Sequence, residues 1–110
     1  MAEYLILIYE HEESYATATP ELYAEVMEAH NRFGERFADK IVSGKALKDT
    51  AAATSIRNDV VTDGPFVETK EALGGYYLIN AENLDEALEI AKHCPARFGG
   101  VEVRPIHVFE

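Results

Sequence analysis

Tyr4-Leu5-Ile6-Leu7-Ile8-Tyr9 is a run of six apolar side chains near the start of the chain. It is too short for a buried helix, and its β-branched and aromatic content reads as a strand. A strand with one wet face alternates apolar and polar residues. This one does not, so both of its faces are expected to be covered. Leu73-Gly74-Gly75-Tyr76-Tyr77-Leu78-Ile79 shows the same property.

Between and around these two runs the pattern changes period. Thr19-Pro20-Glu21 has the form of a helix start: a hydroxyl cap, a proline at the first helical position and an acid near the positive dipole end. From about Pro20 to Ala38, Leu22, Tyr23, Val26, Met27, Ala29, Phe33, Gly34 and Phe37 fall on one broad helical stripe. Among the polar residues only His30 lands within it. Asn83-Leu84-Asp85-Glu86 resembles a capping box and opens a second helix with Leu84, Ala87, Leu88 and Ala91 inward, which Pro95 ends. Ile41-Val42-Ser43-Gly44, continuing towards Leu47, reads as a strand, as does Val101 to Phe109, where Pro105 marks an edge or bulge. Thr54 to Arg57 and Val60 to Thr62 flank Asn58-Asp59, a two-residue turn pair, which predicts a small hairpin.

The order is strand, helix, strand, hairpin, strand, helix, strand. It predicts an α+β fold, a ferredoxin-like sandwich with an inserted β-hairpin, in a single domain spanning residues 1–110. Two helices cover only one face of such a sheet. A second copy of the chain is the simplest cover for the other, so a homodimer is expected.

Ten basic against twenty acidic residues give a net charge of −10. That balance excludes the usual electrostatics of nucleic-acid binding and of anionic membrane surfaces. Hydrophobic residues at 47% are enough for a core, so the acidity does not signal disorder. No apolar stretch is long enough to span a bilayer, and the first residues lack the basic region of a signal peptide. Cys94, the single cysteine, cannot form an internal disulfide and precedes Pro95 without an activating base nearby in sequence, which reads as a buried inert thiol. A reducing cytoplasm is the expected location.

The stretch from Val61 to Ile79, Val-Thr-Asp-Gly-Pro-Phe-Val-Glu-Thr-Lys-Glu-Ala-Leu-Gly-Gly-Tyr-Tyr-Leu-Ile, resembles the signature of the DGPF-domain family within the YCII-related proteins. The opening strand, the Asn-Leu-Asp-Glu-Ala-Leu helix start, the His-Cys-Pro helix end and the Val-Glu-Val-Arg-Pro-Ile strand extend the resemblance over essentially the whole chain. It implies a dimeric α/β-barrel, two ferredoxin-like units packed sheet against sheet. It also implies a small-molecule site, some members resembling lyases or hydrolases, without naming a reaction.

Candidate site residues follow from both readings. Asp63 in Asp63-Gly64-Pro65-Phe66 is either a carboxylate at the mouth of a cleft, with Phe66 as its apolar wall, or an Asx-turn that satisfies its own backbone, with Phe66 plugging the core. His30 either pairs with Asp63 for proton transfer or lines the core. In YCII-related proteins outside the DGPF branch a first-helix His looks catalytic, paired with an Asp; counted back from Ser43-Gly44, His30 lies about one helical turn from its place. Glu68, Lys70 and Glu71 are candidates for binding a polar substrate, Lys70 by pairing a carboxylate, or form a solvated charged loop; Arg104 is either a substrate clamp or a structural ion pair with Asp63 or Glu68. His11, His30, His93 and His107 lack metal-ligand spacing, and no phosphate-binding or nucleophile-elbow motif occurs. The expectation is a small-molecule enzyme working by acid-base chemistry near the Asp63 loop, without metal or tightly bound cofactor. The alternative is a non-catalytic dimer that binds a metabolite.

Overall fold

The computed structural model describes residues 1–109. Strand β1 spans Ala2–His11, followed by a one-turn helix α1, Glu13–Ala16, and the long helix α2, Pro20–Arg36. Strand β2, Ile41–Ala46, leads through a short 3₁₀ turn at Thr50–Ala52 into the hairpin strands β3, Thr54–Arg57, and β4, Val60–Asp63. Strand β5, Glu71–Ala81, helix α3, Leu84–Ala91, and strand β6, Gly99–Pro105, complete the chain. The antiparallel sheet has the order β2-β5-β1-β6, with β3-β4 as a separate two-stranded ribbon. This is the ferredoxin-like arrangement with a hairpin inserted between β2 and β5.

Local chemistry sets the element ends. The Thr19 hydroxyl accepts the Leu22 N–H at 3.1 Å, and Pro20 occupies the first helical turn. Asn83 Oδ1 accepts the Glu86 N–H at 2.9 Å, while the Glu86 carboxylate reaches back to the Glu82 N–H and also takes Lys40 Nζ at 3.1 Å. Asn58 and Asp59 both have positive φ, 49° and 67°, the backbone of a type I′ hairpin turn. In β5 the register slips so that Ile8 faces Gly75 and Tyr9 faces Leu73, which leaves Gly74 as the extra residue of a bulge.

The two faces of the sheet differ. On one, Tyr4, Ile6 and Ile8 of β1 are buried under α2 and α3 with Ile79, Phe33, Ala87, Ile90, Ala91 and Cys94. Ile6 and Ile79 are fully buried. On the other, Leu5, Leu7 and Tyr9 are only half-buried, opposite Leu78, Tyr76 and Leu73 of β5.

The molecule is correspondingly flat, 44 × 39 × 18 Å, with a radius of gyration of 15.4 Å; a compact chain of this length has about 13 Å. Its accessible surface is 7883 Å², where a compact monomer of this mass exposes about 6,100 Å². A single chain thus forms an open sheet and does not close into a barrel.

Four expectations change. On α3 Leu84 and Leu88, expected inward, are exposed, and Ala87, Ile90 and Ala91 form its buried face. The stripe on α2 is narrower than the sequence implies: Tyr23 and Met27 are exposed, and Val26, Ala29, His30, Phe33 and Phe37 face the protein. The polar connection after β1 contains helix α1. The last strand runs from Gly99 to Pro105 and does not extend to Phe109. Pro105 does lie on an edge strand, where its missing N–H costs no ladder bond.

Candidate acid-base site between helix α2 and the sheet

The row Tyr4, Ile6, Ile8 on the helix-covered face of β1 continues to Glu10, because strand side chains alternate. Val26, His30, Phe33 and Phe37 recur at helical spacing on the inner face of α2. Where Glu10 meets Val26, Ala29 and His30 the packing stops short. The turn Pro95-Ala96-Arg97 after α3 closes the third side, with Tyr15 of α1 and Glu25 at the rim. The result is a pocket of about 210 Å³ with largely apolar walls.

His30 is held from below. Its Nδ1 lies 2.8 Å from the Tyr77 hydroxyl, and the two rings stack at 5.9 Å between centroids. Tyr77 in turn meets Phe33 edge-on at 4.9 Å. Gly44 of β2 makes room for this ring: a Cβ there would lie 2.6 Å from Tyr77 Cδ1. Burial lowers the His30 pKa below its ordinary value of 6.5, and the negative charge of Glu10 only partly opposes that. The imidazole is therefore neutral at pH 7.

Glu10 is held as well. Its Oε2 accepts the Tyr15 hydroxyl at 2.7 Å and the Phe98 N–H at 3.1 Å. Burial, followed by the bond to Glu10, pushes the Tyr15 phenol well above its usual value, so it stays a donor. Tyr15 is fixed by its edge-on contact with Phe98 at 4.9 Å and by the Tyr23 hydroxyl, which donates to its carbonyl at 2.8 Å. At the mouth Arg97 Nη1 pairs with Glu25 Oε2 at 3.1 Å across solvent-exposed space. Cys94, beneath the pocket, is buried, and its thiol is pushed up to about 12 by desolvation and then by Glu10, so it is inert as a nucleophile.

Of the residues expected from the sequence, His30 alone lines this pocket. Asp63 ends β4, exposed, opposite Thr54 in the hairpin ladder. The hydrogen-bond partner of His30 is Tyr77, not Asp63, and the carboxylate that shares its pocket is Glu10. Gly64 donates its N–H to the Ala53 carbonyl at 2.7 Å and accepts the Ser55 hydroxyl at 2.7 Å, with φ of 103°, so Asp63-Gly64-Pro65 is a turn tied to its own ribbon. Phe66 does not plug the core; it is 56% exposed and carries the Arg57 guanidinium 4.0 Å above its ring. Glu68 and Lys70 lie in the exposed loop before β5, Lys70 beside a shallow groove with Tyr9 and Glu102 on the open face of the sheet. Arg104 pairs with Glu102 at 3.5 Å on that same face, and its ion pair is with that residue, not with Asp63 or Glu68. Glu10, Tyr15, Tyr77 and Arg97 are site residues that the sequence reading passed over. Glu10 alone carried a usable signal, as the polar end of an alternating strand row.

The sequence pattern of the YCII-related domain matches residues 2–110. The chain belongs to the YCII-related family. It is 40% identical over 80 residues to an uncharacterised protein of Rhizobium meliloti (strain 1021), a match covering 66% of this chain and 64% of that protein. The chain therefore spans somewhat less than two-thirds of that relative's length. Its fold is similar to that of 5-chloro-2-hydroxyhydroquinone dehydrochlorinase from Burkholderia phenoliruptrix AC1100, solved with 2,5-dihydroxybenzoquinone. The TM-score is 0.56 at 19% identity, over 93% of this chain and 90% of that one. Among the described residues no helix is long and apolar enough to cross a membrane, and no three His, Cys, Asp or Glu side chains are grouped to hold a metal ion.

Proposed function

We propose that this YCII-related protein is a small-molecule enzyme whose acid-base chemistry takes place in the pocket between α2 and the sheet. The observation that carries the reading is the meeting of a neutral imidazole, His30, with an oriented carboxylate, Glu10, at one small apolar pocket. Such a pair moves protons without a cofactor, and apolar walls strengthen its electrostatics. The likeness in fold to a dehydrochlorinase supports this only as precedent, since folds host many reactions. Asp63-Gly64-Pro65-Phe66 is, in this account, a structural turn.

The working unit is a homodimer. The half-buried row Leu5, Leu7, Tyr9, Tyr76 and Leu78 is the sort of face that a second copy covers. The hairpin and the loop after it add exposed Ile56, Val60, Val61 and Val67 to the apolar surface.

A library of small metabolites screened by thermal shift, with turnover of every hit followed by NMR, tests the reading. Hits should lose their effect in His30→Ala and keep it in Asp63→Ala, and at least one should be converted. Hits that depend on Asp63 and not on His30 would refute the site; binding at His30 without conversion of any hit would mark a non-catalytic ligand-binding module instead.

A further inference from the structure

The pocket contains two groups able to take a proton, and its hydrogen bonds assign them different work. Both bonds to the Glu10 carboxylate end on Oε2; among the described residues none reaches Oε1. One oxygen is thus fixed and the other is left unbonded in a group that lines the pocket. In His30 it is Nδ1 that the protein engages, through the Tyr77 hydroxyl. That hydroxyl has no other hydrogen-bond partner among the described residues. If it accepted from Nδ1–H, its own half-buried O–H would be orphaned, the costlier arrangement. The phenol therefore donates to Nδ1, the ring proton sits on Nε2, and Nε2–H is the donor left for a ligand.

We propose that Glu10 is the proton acceptor of this pocket, that neutral His30 acts beside it as a hydrogen-bond donor through Nε2–H, and that the substrate is a small uncharged carbonyl compound with an acidic C–H bond. The inference rests on the reading of the pocket as the acid-base site and specifies its chemistry. Glu10 Oε1 takes the proton from the carbon next to the carbonyl. The C–H electron pair becomes a C=C bond, and the carbonyl π pair moves onto oxygen, where His30 Nε2–H stabilises the developing charge. Return of the proton from Glu10 to the same or another carbon closes the cycle, and no oxidant or co-reactant is needed.

The substrate class follows from size and charge. A cavity of about 150 Å³ admits benzene, so the 210 Å³ here fits one six-membered ring. Val26, Ala29, Pro95 and Ala96 offer such a ring apolar contact. Arg97, the cation of the rim, is already paired with Glu25, and Glu10 faces the interior, so an anionic substrate meets repulsion and no free partner. Tyr77 is a positioning residue that fixes the tautomer.

Nitrogen-15 NMR of the full chain, labelled at histidine and with His30 assigned through a His30→Gln variant, tests the tautomer at pH 7. The expected pattern is a protonated Nε2 and an unprotonated Nδ1, shifting to a mixture in Tyr77→Phe. A protonated Nδ1 with a bare Nε2 overturns the proposal while leaving the pocket free to work with His30 as base; an imidazolium overturns it together with the neutral imidazole on which the reading of the pocket rests. The proton acceptor is tested by loss of α-hydrogens from cyclohexanone in D2O. Wild type and Asp63→Ala should exchange at least tenfold faster than Glu10→Gln. Exchange no faster in wild type than in Glu10→Gln overturns the role given to Glu10.

Discussion

His30 shows how a single position acquires a chemical character from its neighbours. On a helical wheel it is a polar intruder in an apolar stripe; in the fold it rests on Tyr77 and faces Glu10. Because burial lowers its pKa, the neutral form is favoured by folding and the unfolded chain binds more protons below pH 6.5. Its contribution is therefore intact above pH 6.5 and declines as pH falls through the depressed value. Denaturant midpoints of wild type and His30→Gln, measured from pH 8 to pH 5, should converge on acidification; a constant difference would show that His30 does not titrate differently in the fold. Gly44 gives a second residue-scale test. A methyl group at 2.6 Å from the Tyr77 ring must displace it, so Gly44→Ala should cost about 1–3 kcal/mol by chemical denaturation. It should also weaken the Tyr77–His30 bond, visible as a changed His30 ring-nitrogen spectrum.

At the scale of elements, punctuation was legible and long-range convergence was not. Thr19 and Asn83 act as caps, and Asn58-Asp59 forms the hairpin turn, because each depends on neighbours a few residues away. The strand order follows from the sequence of elements. What could not be read from spacing is where the inserted ribbon lies, since its register is set within itself and it makes no ladder bond to the main sheet. Spacing alone leaves the Asp63 turn free to lie near His30, whereas its bonds are to Ala53 and Ser55. Glu10 was legible in principle: the alternation that buries Tyr4, Ile6 and Ile8 places it on their face. The doubly apolar run ends one residue earlier and masks that alternation. That run also hid which face is the core. Ile6→Ala, which empties a fully buried site, should cost about 2–5 kcal/mol, while Glu28→Ala on the exposed side of α2 should change little. Equal denaturant midpoints for the two would contradict the facing of β1.

The whole molecule is a sheet clothed on one side. Its surface exceeds that of a compact monomer by an amount on the order of a stable interface, and the row from Leu5 to Tyr9 accounts for the strand pattern that alternation failed to explain. A dimer of about 24 kDa, twice the 12.2 kDa chain, is expected by light scattering at low micromolar concentration, and Leu7→Asp should shift it to monomer. A wild-type monomer under those conditions would contradict the proposed pairing. The proposed division of labour puts assembly on the open face and chemistry under the helices. Backbone and side-chain NMR mapping of the protein with the strongest hit from the thermal-shift screen decides that division. Shifts concentrated at Glu10, Ala29, His30 and Ala96 are the predicted result. Shifts confined to Asp63 to Lys70, with the pocket residues silent, would contradict it.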